Sequence, residues 1–91
     1  MADLKVYIDN NQEIYNKKVK VFKILLEDYK SSGKIDEAKA KKLFMPVVKD
    51  ASRYAKSWKE KVSKQDVDDA VRECIEEFKV EQIQYKNYWS N

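Results

Sequence analysis

Residues Asp36–Val62, DEAKAKKLFMPVVKDASRYAKSWKEKV, carry the strongest periodic signal in the chain. Ala40, Phe44, Val47, Ala51, Tyr54, Trp58 and Val62 recur in steps of four and three, the spacing that gathers side chains on one face of an α-helix. A second line in the same step, Lys39, Lys42, Lys49, Arg53 and Lys56, forms a basic ridge away from that face. Pro46 falls in the middle. Inside a helix a proline removes one hydrogen bond, clashes with the preceding turn and disfavours helical geometry at the residue before it, here Met45. The apolar step keeps its phase through the proline, whereas a true break would reset it. The sequence therefore predicts one helix over 36–61, kinked at Pro46, with a split into two helices as the alternative.

Upstream, Tyr15, Val19, Phe22, Leu26 and Tyr29 repeat every seven residues in two steps, with Ile14, Val21 and Leu25 on one shoulder. That broad apolar face predicts a helix over 12–30 packed against two neighbours. Asp9, Asn10 and Asn11 offer N-caps, and Gly33 can take the left-handed conformation that ends a helix. In residues 1–11, Leu4, Val6 and Ile8 alternate as in a short strand, for which Val80–Tyr85 could supply a partner. A lone two-stranded ribbon is marginal in water, so an extended or helical lead-in is preferred.

Downstream, Ser63-Lys64-Gln65-Asp66 reads as a capping box, with Val62 and Val67 placed as its hydrophobic staple. It opens a helix over 64–86 whose buried face is Val67, Ala70, Val71, Cys74 and Phe78, with Tyr85 as a last candidate. Residues 87–91 read as a frayed tail. The expectation is a single all-α domain over 1–91, a small antiparallel bundle of three main helices.

Composition agrees. Of 91 residues 43% are hydrophobic and 38% charged, with one Gly and one Pro, which suits long solvated helices rather than tight turns. The formal charge is +3, but its distribution is uneven. Residues 36–61 hold eight Lys/Arg against four Asp/Glu, and residues 64–86 hold four against seven. These two helices can neutralise one another within the fold.

The chain has no histidine and a single cysteine, Cys74, which excludes Ser–His and Cys–His nucleophile pairs and thiolate metal centres built within one chain. Cys74 lies on the expected core stripe as a small hydrophobe. One glycine cannot make a phosphate-cradling loop. Asp66, Asp69, Glu73, Glu76 and Glu77 share a side of the third helix, but carboxylates do acid–base or cation chemistry only inside a cleft, and a solvated face is the simpler expectation. No catalytic, cofactor or metal site is expected, and no small-molecule substrate. The charged N-terminus lacks a signal-like apolar run, and no segment approaches a membrane span, so a soluble, intracellular protein without membrane contact is expected.

Two binding surfaces remain. Tyr85, Tyr88 and Trp89 form an aromatic C-terminal end of the kind enriched at protein interfaces, although such residues equally cap a chain's own core. Lys39, Lys42, Lys49, Arg53 and Lys56 extend over about 25 Å at the helical rise, enough to follow a phosphate backbone, although a solvated or salt-bridged face explains them too.

Residues 47–71, VVKDASRYAKSWKEKVSKQDVDDAV, resemble the end of the long central helix, the second loop and the third-helix start of core histones. The likeness lies in the VVKDA run with Tyr54 following, then Val62-Ser63 and Asp66-Val67 leading to Ala70-Val71. It covers 25 of the 91 residues. The family's loop arginine falls near Lys59, and Pro46 and the long flanking helices depart from the family pattern. The resemblance implies a dimerising, DNA-wrapping helical module. Together the residues predict a non-catalytic protein–protein interaction or adaptor module, with self-association as a homodimer open. Nucleic-acid binding through the basic ridge is the alternative.

Overall fold

The computed structural model describes residues 3–84, and every regular element among them is helical. They are α1 (Leu4–Asp9), α2 (Gln12–Ser32), α3 (Glu37–Ser57) and α4 (Lys64–Phe78), followed by a π-helical segment, Lys79–Gln84. The all-α class stands, but with four α-helices in place of the expected three. The expected third helix over 64–86 gives up α-helical geometry after Phe78. The strand alternatives at 4–8 and within 80–84 are both replaced by helix.

Leu4 and Ile8 are fully buried while Val6 is 50% exposed, so the apolar step of the lead-in is four residues and not two. Six residues cannot hold a helix alone. Burial of those two side chains fixes α1 in place. The largest buried residues, Phe44, Phe78, Leu4, Ile8, Val48 and Cys74, come from α1, α3 and α4. Phe22 of α2 joins them, its ring 5.8 Å from Phe44 in an edge-on contact and 5.6 Å from Phe78. Three aromatic rings thus tie α2, α3 and α4 at one point.

The face of α2 is rotated from expectation. Its buried line is Ile14, Lys18, Val21, Phe22 and Leu25, whereas Tyr15 is exposed and Val19, Leu26 and Tyr29 are half-buried. The shoulder residues are core, and a lysine fills the gap between Ile14 and Val21. On α4, Val67 is half-buried, and Ile75 joins the expected Ala70, Val71, Cys74 and Phe78.

α3 is a single α-helix through Pro46, whose ring lies on the exposed side, so the split alternative is excluded. Ala40, Phe44, Val47, Ala51 and Tyr54 face inward as expected, Tyr54 only half-buried. Trp58 does not. The helix ends at Ser57, and Trp58, its C-cap residue, is 66% exposed.

The helix ends follow local chemistry. Asn11 caps α2 by accepting from the Ile14 N–H at 3.2 Å, and Asp36 caps α3 by accepting from Lys39 N–H at 3.1 Å. Gly33 ends α2 at φ 73°, its N–H donating to the Tyr29 carbonyl at 2.7 Å. The capping box is complete: Asp66 N–H donates to Ser63 Oγ at 3.1 Å, and Ser63 N–H donates to Asp66 Oδ2 at 3.0 Å.

Candidate functional site

The end of α3 and the turn that follows carry the most distinctive exposed chemistry. Glu60 N–H reaches back to the Ala55 carbonyl at 3.1 Å and Lys59 N–H to the Lys56 carbonyl at 2.9 Å. This pair is a Schellman motif, which needs a left-handed residue and commonly uses glycine. Here Lys59 takes that conformation, at φ 64°. The turn projects Trp58 into solvent and gathers Lys56, Lys59, Lys61 and Lys64, all exposed, around it in sequence.

Trp58 is exposed but held. Its ring meets Tyr54 edge-on at 6.4 Å, and Tyr54 meets Tyr7 of α1 edge-on at 5.8 Å. The Tyr7 hydroxyl donates to the Glu60 carboxylate. Burial, then the charge of Glu60, raises the Tyr7 pKa, so the phenol stays protonated and keeps that bond. An aromatic row therefore runs from α1 to the turn and engages the acid nearest Trp58.

The basic ridge of α3 divides into two groups. Lys39 pairs with Asp28 of α2, and Arg53 pairs with Asp50, which also holds Lys17 of α2 at 2.6 Å. Lys42, Lys49 and Lys56 are exposed and make no ion pair among the described residues. They stand seven residues apart, about 10 Å per step along a helix. Beside them, α3 and α4 enclose a groove of about 490 Å³ lined by Met45, Lys49, Arg53, Lys56, Lys64 and Val67 among others. The ridge's ion pairs thus run to α2 and within α3, and not, as expected, to the acidic α4. Part of the ridge is neutralised from α2 and from within α3, and part is left open.

Tyr85, Tyr88 and Trp89 lie outside the described residues. The acids of α4 are dispersed in use. Asp66 completes the capping box, Asp69 receives Arg72 at 2.6 Å, Glu76 lies 3.7 Å from Lys79, and Glu77 turns inward.

Glu77 belongs to a buried group of charged side chains that the sequence pattern does not announce. Lys18, 3% exposed, places its Nζ 2.6 Å from Asp9 Oδ1 and 2.7 Å from Glu77 Oε1. Lys5 bridges the same two acids, with Asp9 Oδ2 at 3.3 Å and Glu77 as its other partner. Two cations and two carboxylates from α1, α2 and α4 thus close a neutral ring. The Lys18 ammonium also lies 4.8 Å from the Tyr15 ring centroid and 5.6 Å from that of Phe22.

Burial acts to lower the Lys18 pKa, but the hydrogen bonds and charges of Asp9 and Glu77 outweigh it and the pKa is raised. A nucleophilic lysine needs the opposite shift. Burial pushes the neighbouring Cys74 thiol up to about 12, so it stays a thiol at neutral pH. Both groups are suited to holding the core together. The signal for Lys18 was present in its spacing, four residues after Ile14 and three before Val21.

No protein-family model, curated protein or solved structure matches the chain.

Proposed function

We propose that this chain is a non-catalytic binding module that takes a nucleic-acid backbone on the exposed side of α3. The observation that carries this is the line of Lys42, Lys49 and Lys56, exposed, evenly spaced and without ion pairs among the described residues, while the ridge cations Lys39 and Arg53 beside them are paired. Cations already compensated within the fold add little to phosphate binding, and those left open release counterions when they meet a phosphate. The four helices are taken to run as an antiparallel bundle, with α3 bent at Pro46. A proline on the solvent side lets a helix curve around its core, and this would present the lysine line on a convex ridge.

Affinity for oligonucleotides measured against salt tests the proposal. Binding should weaken steeply as salt rises, and Lys42→Glu, Lys49→Glu and Lys56→Glu should each flatten the duplex slope by about 0.9. A slope near zero, or one untouched by the three reversals, removes it.

A protein partner is the second reading, a further copy of the chain included. It is favoured by the groove between α3 and α4, where half-buried Met45 and Val67 lie among cations, the apolar-centre and polar-rim pattern of interfaces. The aromatic end, Tyr85, Tyr88 and Trp89, would extend such a contact. Capture of a partner that survives nuclease treatment and is lost on Met45→Glu would favour this reading over the first.

A further inference from the structure

Trp58 is the most exposed of the large hydrophobic residues among those described, and it stands where the open cations of α3 run into those of the following turn. We infer that Trp58 is a stacking platform for an unpaired base, with Lys56, Lys59, Lys61 and Lys64 meeting the phosphates on either side. The ligand class is then single-stranded nucleic acid. This rests on the nucleic-acid reading of α3 and narrows it, since a base inside a duplex presents no free face to an indole.

Three observations point this way. First, the indole is open yet anchored: 66% exposed, at the C-cap of α3, and in edge contact with Tyr54, which Tyr7 backs in turn. A ring held in place before binding loses little freedom when a base stacks on it. Second, the surroundings are cationic. Between positions 56 and 64 the chain carries Lys56, Lys59, Lys61 and Lys64 against Glu60 alone, and Glu60 is engaged by the Tyr7 hydroxyl. An aromatic face set in a positive surface is the arrangement by which single strands are bound with little sequence preference. Third, the competing uses of an exposed tryptophan fit less well. The centres of protein interfaces are poor in lysine. A membrane-seated helix needs a run of exposed apolar residues, and the outward line of α3 is lysine.

The test uses the full chain in a Trp89→Phe background, so that emission reports Trp58 alone. Probes are oligo(dT) and oligo(U) of about 16 nucleotides, the upper single-strand site size for one small module. A duplex of the same length and vesicles of phosphatidylcholine with phosphatidylserine complete the set. The expected result is quenching of Trp58 by the single strands, tighter binding to them than to the duplex, and a salt slope near −4, about 0.7 for each of Lys42, Lys49 and the four lysines beside Trp58. Trp58→Ala should weaken single-strand binding roughly 5- to 100-fold with the salt slope unchanged, and Trp58→Phe should retain most of the affinity.

If Trp58→Ala binds oligo(dT) as well as the parent while Lys49→Glu weakens binding, the stacking site is wrong and the backbone reading of α3 survives. If neither strand form binds, both fall. Binding to vesicles alone overturns the nucleic-acid assignment and identifies an anionic membrane surface in its place.

Discussion

A lysine ammonium transferred from water to a helical core is destabilising unless anions accompany it. Lys18 is accompanied by two, Asp9 and Glu77, and Lys5 balances the second negative charge. Removing only the cation leaves two acids facing each other across Lys5. Lys18→Met, which keeps the apolar stem, should therefore destabilise the fold by roughly 3 kcal/mol in urea denaturation. Adding Glu77→Leu should recover part of that loss, because the charge and its partner then leave together, and a double-mutant cycle reads the coupling directly. A neutral Lys18→Met would mean the ring of charges contributes nothing. Burial at this position is not legible in the sequence. The spacing Ile14, Lys18, Val21, Leu25 is a clean helical core line, but a lysine is seldom fully buried, and the strict seven-residue repeat through Tyr15 and Phe22 is the stronger local signal. Burial of a charge depends on acids supplied by other helices, one of them 59 positions away at Glu77. No local pattern carries that.

Helix ends were more readable than helix faces, because a cap is written within four or five residues. Asn11, Gly33, Asp36 and the Ser63–Asp66 box all act as their chemistry dictates. The end of α3 is the exception. Its apolar step continues in sequence to Trp58 and Val62, yet the helix stops at Ser57 with a lysine in the left-handed position. No glycine announces the stop, so the periodicity predicts Trp58 in the core, whereas it lies at the surface. A non-glycine residue in that conformation is held at a cost of about 1 kcal/mol. Lys59→Gly should relieve it and raise the urea midpoint slightly, a gain of up to about 0.5 kcal/mol once the roughly 0.5–1 kcal/mol of entropy that glycine adds to the unfolded chain is set against it. A drop in stability would show that the Lys59 side chain contributes more than its backbone costs. The same substitution removes one of the four lysines placed beside Trp58, so the salt slope for single strands should flatten by about 0.7 while the fold becomes firmer.

At the scale of the whole molecule, ion pairs join all four helices and the π-helical segment. The ring of Lys5, Asp9, Lys18 and Glu77 links α1, α2 and α4. Lys39–Asp28 and Lys17–Asp50 link α2 to α3, and Lys79 reaches Glu37 of α3 at 2.6 Å. Such links make stability depend on pH with a sign fixed by the folded-state pKa values. Burial acts to raise the Asp9 pKa, but the bonds and charges of Lys18 and Lys5 outweigh it, leaving it below the usual 3.8. Lys79 likewise lowers Glu37. A carboxylate whose folded pKa is depressed contributes stability that is fully present above its unfolded pKa and is lost as pH falls through the folded one. For Lys5 and Lys18, whose pKa values are raised above 10.5, the contribution is present below the unfolded value and lost only as pH rises through the folded one. Thermal midpoints should thus be nearly flat from about pH 5 to pH 8 and fall on the acid side below about 4; on the alkaline side they should fall from about pH 9, where the Cys74 thiol ionises only in the unfolded chain, and further beyond about 10.5 as the lysine contributions are lost. Asp9→Asn should lower the midpoint at neutral pH and flatten the acid limb, because the group that must take up a proton is gone. An acid limb as steep in Asp9→Asn as in the parent would place acid sensitivity elsewhere, and Glu37→Gln would then be the variant in which the limb should flatten.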